Sequence, residues 1–148
     1  PARTRQPPMA EDMPPRPLPA LTVDNTPFWT GGERGELLIE QCRVCAYHIH
    51  PPTGFCPECE SRDTAFVPVS GRGFVETFTI NHKAWMPGLP ERYVLALVRL
   101  AEQADVRLVT NIVDCDPDAV RIDMPVTVRF EQAEDLWIPL FAPAGDAA

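Results

Sequence analysis

Cys42-Arg43-Val44-Cys45 and Cys56-Pro57-Glu58-Cys59 are the two stretches that decide how this chain folds. Each C-x-x-C sets two thiolates on one tight knuckle. Two knuckles facing each other offer four sulfurs in the tetrahedral arrangement that Zn²⁺ takes in closed structural sites. The ten residues between them, Ala46 to Phe55, suit a short hairpin and contain the turn signal Pro51-Pro52-Thr53-Gly54. Thiolate sites also take iron, but one structural zinc ion is the expectation. A closed four-thiolate shell leaves no position for water or substrate, so catalysis at this metal is not expected. Two redox dithiols are the alternative, and they lack the βαβ context such motifs require. His48 and His50 lie inside the loop and read as hairpin residues, because four thiolates already saturate the ion.

Downstream of the second pair the chain turns to β-type patterning. Strands are expected at Phe74–Ile80, Tyr93–Leu100, Arg107–Val113, Val126–Phe130 and Leu136–Phe141. Gly71 and Gly73 are where a bulge or sharp bend is expected. The nearly continuous apolar run Tyr93–Leu100 predicts burial on both faces. Between the third and fourth strands, Asp116-Pro117-Asp118-Ala119 predicts one capped helical turn. Five strands with one such turn fit a small closed barrel of the OB type.

Upstream, Leu37–Gln41 predicts a strand running into Cys42. Asn25-Thr26-Pro27-Phe28-Trp29 predicts a helix start capped by Asn25 or Thr26, with Pro27 at its first position. Gly31, Gly32 and Gly35 limit that helix to roughly two turns. Phe28 and Trp29 must dock, either on the domain's own core or in a groove shared with a partner or ligand. Residues 1–20 hold seven of the 18 prolines and read as an extended linker or arm. The expected organisation is therefore an arm over 1–20, a helical segment over 21–36, a ribbon over 37–66, a barrel over 67–143 and a tail over 144–148.

The 148 residues carry a net charge of −8, with 7 basic and 12 acidic groups over residues 71–148. That balance argues against nucleic acid, whose binding rests on Lys/Arg neutralisation of phosphate. No apolar run approaches about 20 residues, so no membrane span is expected. No basic-then-apolar leader is visible, and paired cysteines favour a reducing compartment, so a cytoplasmic setting is expected.

Little in the sequence reads as catalytic. There is no G-x-S-x-G elbow, no P-loop and no G-x-G-x-x-G. Cys115 sits among carboxylates, which disfavour its thiolate. Asn81-His82-Lys83-Ala84-Trp85 joins an imidazole, the single lysine and an aromatic at a strand end. It reads either as a plain exposed loop or as a place to meet an anionic ligand. The loop that follows, Met86 to Arg92, has the apolar and aromatic character of an interface rim.

A family resemblance runs from about Leu21 to Pro143. It is carried by Asp24-Asn25-x-x-Phe28-Trp29, Leu37-Leu38-x-x-Gln41-Cys42-x-x-Cys45, Cys56-Pro57-x-Cys59 and Ser70-Gly71-x-Gly73. Val109-Thr110-Asn111-Ile112-Val113 and Met124-Pro125-Val126-x-Val128-x-Phe130-Glu131 continue it. The pattern resembles the acyl-CoA-associated zinc-ribbon/OB family, DUF35. Some members lose the cysteines, whereas this chain keeps all four. The usual glycine before Met-Pro-Val is Asp123 here, a departure expected to touch only a turn.

The resemblance implies a mostly β chain with a short helical N-terminus, a rubredoxin-like zinc ribbon and a five-stranded OB barrel. It implies Cys42, Cys45, Cys56 and Cys59 as ligands of one structural zinc. It also implies an accessory role beside a thiolase-fold aldolase or thiolase that holds the catalytic residues, with acyl-CoA at the shared interface. Members of this kind serve steroid side-chain degradation, where such a domain follows a hydratase domain across a linker. The proline-rich start suits an excised domain of that type. Phe28, Trp29, His82, Lys83, Trp85 and Arg92 are the expected partner or acyl-CoA contacts, and no catalytic residue is expected in this chain. A thiolase partner outside steroid catabolism, a nucleic-acid module and an autonomous acyl-CoA carrier or hydrolase are the alternatives.

Overall fold

The computed structural model describes residues 16–86 and 88–145. The expected arm over 1–20 falls largely outside them. Its last residues lie on the barrel, where the Arg16 guanidinium donates to Asn111 Oδ1 at 2.9 Å and Leu18 packs beside Leu136, Ile138 and Leu140.

α1 (Thr26–Thr30) is short because glycines follow it, and the chain tightens into a 3-10 turn over Gly31–Arg34. The two expected helical turns are thus five α residues and four 3-10 residues. The predicted cap does not form. Asn25 occupies the N-cap position, but its side-chain oxygen turns back to accept from the Thr22 N–H, and the Thr26 hydroxyl donates to the Thr22 carbonyl. Those local bonds compete for the groups a cap would use. Gly32 lets the turn lie on the barrel, since a Cβ there would come within 2.4 Å of Trp137 Cβ and 2.6 Å of Phe130 Cδ1.

β1 (Leu37–Cys42) is the centre of a three-stranded sheet between β2 (His48–Ile49) and β3 (Thr64–Val69), both antiparallel to it. β3 was not expected. Its alternation is weak, every residue is part-exposed, and Pro68 argues against a strand until its place at a sheet edge is known.

β4 (Arg72–Asn81), β5 (Tyr93–Leu100), β6 (Arg107–Ile112), β7 (Pro125–Ala133) and β8 (Leu136–Pro143) close a barrel in the order β4-β5-β6-β8-β7. With the 3-10 turn Pro117–Ala119 between β6 and β7, this is the OB arrangement. The turn is capped as expected, with Asp116 Oδ1 accepting from the Asp118 N–H at 2.9 Å. The β6–β8 seam is parallel and has one ladder pair, Ile112 with Phe141. The buried Thr110 hydroxyl reinforces it by donating to the Pro139 carbonyl at 2.9 Å.

One strand expectation needs correction, and of the bulge or bend expected at the glycines it is the bend that forms. β5 is not buried on both faces: Val94, Ala96, Val98 and Leu100 point inward, while Leu95 is 40% exposed. A barrel strand has one inner face, so a run of apolar letters overstates burial where the outer face is also apolar. The bulge lies between Val75 and Thr77, not at the glycines. Gly71 instead makes the bend (φ +76°), where a Cβ would lie 2.4 Å from Val128 Cγ1.

Asp123, standing where a glycine was expected, takes φ +63° and pairs with Arg99 at 2.7 Å. The barrel core of Val75, Val98, Val126 and Phe141 continues into Phe28, Leu37 and Ile39, so helix, ribbon strand and barrel share one apolar interior. No helix among the described residues is long and apolar enough to cross a membrane.

Candidate metal centre

Cys42 ends β1 and Cys45 follows within one turn, closed by the Ala46 N–H donating to the Cys42 carbonyl at 3.0 Å. The second knuckle repeats the device, with the Glu60 N–H donating to the Cys56 carbonyl at 3.0 Å. Ala46 and Glu60 both take positive φ, 65° and 62°, so the two knuckles share one backbone turn.

The four Sγ atoms lie within 4.8 Å of one another, with Cys42–Cys59 at 3.5 Å and Cys45–Cys56 at 3.6 Å. A tetrahedral ion with Zn–S of about 2.3 Å needs sulfurs about 3.8 Å apart, so the donor set fits one zinc. Cys42 and Cys56 are buried and Cys45 and Cys59 exposed, so the site sits at the surface with one side closed.

Sulfurs this close cannot all ionise unaided. The Cys45 backbone N–H, working against burial, draws the Cys42 thiol down to about 7. The Ser61 N–H favours the Cys59 thiolate, but the neighbouring Cys42 sulfur and burial outweigh it and push Cys59 up to about 12. A divalent cation resolves that conflict by holding all four as thiolates. His48 and His50 lie outside the four-sulfur group, as expected. His50 packs 5.0 Å from the Phe28 ring, and burial lowers its pKa.

Glu40 was missed by sequence reasoning. It is 3% exposed, and its carboxylate accepts from the Thr53 N–H at 2.8 Å and the Thr64 hydroxyl at 2.7 Å. Those residues flank the second knuckle, so Glu40 ties it to the strand that carries the first. The available signal was one acidic residue between the apolar run Leu37–Ile39 and Cys42.

The six expected contact residues do not gather on one surface. Phe28 is 6% exposed, stacked edge-on against Trp29 at 4.8 Å. Both line a groove of about 780 Å³ together with His50, Pro51, Val109 and Leu140. Arg92 pairs with Asp118 at 2.8 Å and lines a second groove, of about 450 Å³, beside Cys115. Arg16 borders both. His82, Lys83 and Trp85 stand exposed on the β4–β5 connection, with Lys83 Nζ 4.7 Å from the centre of the Trp85 ring. Burial, then Asp116 and Asp114, raise the Cys115 thiol, as its acidic neighbours suggested.

A four-thiolate ribbon whose central strand runs into the core of an OB barrel defines the class, a zinc-ribbon/OB-fold module. Comparison with known proteins gives the family. Residues 29–65 match the model of the ChsH2 rubredoxin-like zinc ribbon domain, and residues 66–131 that of the ChsH2 C-terminal OB-fold domain. A DUF35 domain-containing scaffold protein of Methanocaldococcus jannaschii is 35% identical over 70% of this chain and 73% of its own length. The chain belongs to the DUF35 family.

It is also 38% identical, over 87% of its length, to a probable enoyl-CoA hydratase alpha subunit of Thermomonospora curvata. To the 3-oxo-4,17-pregnadiene-20-carboxyl-CoA hydratase alpha subunit of Mycobacterium tuberculosis it is 32% identical over 84%. The chain spans 40% and 39% of those two relatives. Among solved structures, a chain of the Ltp2-ChsH2(DUF35) aldolase superposes with a TM-score of 0.77 at 35% identity, covering 85% of this chain and 98% of that one.

Proposed function

We propose that this chain is the accessory module of a thiolase-fold aldolase that cleaves a carbon–carbon bond in an acyl-CoA thioester. The single observation that carries the reading is the likeness to the DUF35 chain of the Ltp2-ChsH2(DUF35) aldolase, which extends over nearly the whole of that chain. The reacting groups then belong to the partner, and this chain binds and orients.

The zinc ribbon supplies rigidity: one ion bound by Cys42, Cys45, Cys56 and Cys59 adds its binding free energy to the folding of a ribbon with little core of its own. The groove beside Trp29 offers an apolar wall to the partner or to the acyl chain. Lys83 is a cation on an acidic protein, held beside the exposed Trp85, and suits contact with the anionic part of CoA. A steroid side chain is the proposed acyl group, supported by the likeness to the pregnadiene-carboxyl-CoA hydratase subunit.

Co-expression with a thiolase-like aldolase tests the reading. A complex stable through size exclusion is expected, together with retro-aldol cleavage of a hydroxylated steroid acyl-CoA that is lost when this chain is omitted. Full activity of the aldolase alone would overturn it. Replacement of Trp85 and Lys83 by alanine is expected to raise KM for the thioester at least several-fold without releasing zinc.

A further inference from the structure

The connection from Ala101 to Asp105, between β5 and β6, holds the ribbon at three points. Gln103 Oε1 accepts from the His48 backbone N–H at 2.9 Å, and Gln103 Nε2 donates to the His48 carbonyl at 2.9 Å. The Tyr47 hydroxyl donates to Asp105 Oδ2 at 2.7 Å. Glu102 Oε1 accepts from the Ser70 N–H at 2.8 Å, where the ribbon passes into the barrel. The Gln103 amide thus imitates the next residue of an antiparallel ladder along the free edge of β2. The connection is itself braced, because the Ala101 N–H donates to the Arg72 carbonyl at 2.9 Å and the Val106 N–H to the Gln103 carbonyl at 3.1 Å.

The ladder explains why such ties matter. Leu37 pairs with Val69, so both covalent links from the ribbon to the rest of the chain leave the sheet at the same end. Gln41 pairs with His48 and Cys42 with Thr64 toward the opposite end, about 13 Å and about 17 Å along β1 at roughly 3.3 Å per residue. Packing of Leu37, Ile39 and Val69 on the barrel core secures that end, so rocking of the ribbon would be greatest at the other. The Tyr47 and His48 contacts act at the far end, where a hydrogen bond has the longest lever.

We propose that the β5–β6 connection is a latch that fixes the orientation of the metal ribbon on the barrel, with Gln103, Asp105 and Tyr47 as its positioning residues. The groove lined by His50 and Pro51 from the ribbon and by Val109 and Leu140 from the barrel keeps its shape only while the latch is closed.

Residual dipolar couplings on the full zinc-loaded chain test this without a partner. In the wild type one alignment tensor is expected to fit ribbon and barrel together. In Gln103→Ala/Tyr47→Phe the two parts are expected to need separate tensors, with zinc content and amide protection of the barrel core unchanged. The His48 amide is expected to exchange about tenfold faster, the equivalent of one lost hydrogen bond. One tensor fitting both parts of the variant as well as it fits the wild type would overturn the proposal. If the double variant loses zinc, Gln103→Glu/Tyr47→Phe sets an oxygen against the His48 carbonyl and removes the bond to Asp105 in a less disrupted ribbon. The same two results then decide: separate tensors support the latch and a single tensor refutes it.

Discussion

Replacing Glu40 by alanine should weaken metal binding without touching a ligand. The carboxylate is 3% exposed and accepts two bonds, at 2.8 Å from the Thr53 N–H and 2.7 Å from the Thr64 hydroxyl. Hydrogen bonds to charged groups contribute about 1.5–3 kcal/mol each, and truncation leaves both donors without their partner. Alanine also relieves the cost of burying a charge, so the lower total of about 3 kcal/mol is the better expectation. Metal binding and ribbon folding share one free energy, so that loss appears as zinc affinity weakened about a hundredfold or more.

Glu40→Gln should behave differently. Its amide oxygen can accept from Thr53, while its NH₂ donates to the Thr64 hydroxyl, which turns to accept. Charge assistance is lost but both contacts survive, a cost of about 1 kcal/mol, or less than tenfold. Competition against a chromophoric chelator reads both variants, with Glu36→Ala at the ribbon entry as a control. Glu40→Ala retaining zinc within threefold of wild type, or Gln failing as badly as Ala, would show that the carboxylate does not brace the metal site.

Thr110→Val keeps the shape of a buried residue but strands the Pro139 carbonyl at the barrel seam, so about 1–2 kcal/mol of stability should be lost in urea unfolding. Gly32→Ala drives a methyl against Trp137 and Phe130, and overpacking of this kind costs about 1–3 kcal/mol, read as a lowered Tm with zinc retained. Cys115, whose pKa is raised by burial and by two aspartates, should alkylate more slowly at pH 7.5 than a free cysteine in the zinc-loaded protein; mass spectrometry checks this. Asp123→Gly removes a left-handed aspartate and an exposed ion pair together, so stability should change by less than about 1 kcal/mol.

The metal site was legible because the signal is local. Two C-x-x-C knuckles carry the chemistry and spacing of the site in their own letters, and the barrel strands announce themselves by apolar patterning and turn residues. β3 was not legible, since a part-exposed strand at a sheet edge has no strong period and gains its pairing from β1 alone. Nor were the roles of Glu40 and Gln103. Each is an ordinary polar letter until the fold brings a Thr53 amide or a His48 backbone to it, 13 and 55 residues away.

By itself, then, the sequence determined the four-sulfur ribbon, the OB-type strand set and the family likeness. It took the folded chain to show that Phe28 turns into the shared core, that Arg92 pairs with Asp118 while Trp85 stays exposed beside Lys83, and that the ribbon is held to the barrel at its far end. The physical reason is one of range. Ligand spacing and strand periodicity are set within a few residues, whereas burial and hydrogen-bond partnership depend on which distant segments the closed barrel brings together.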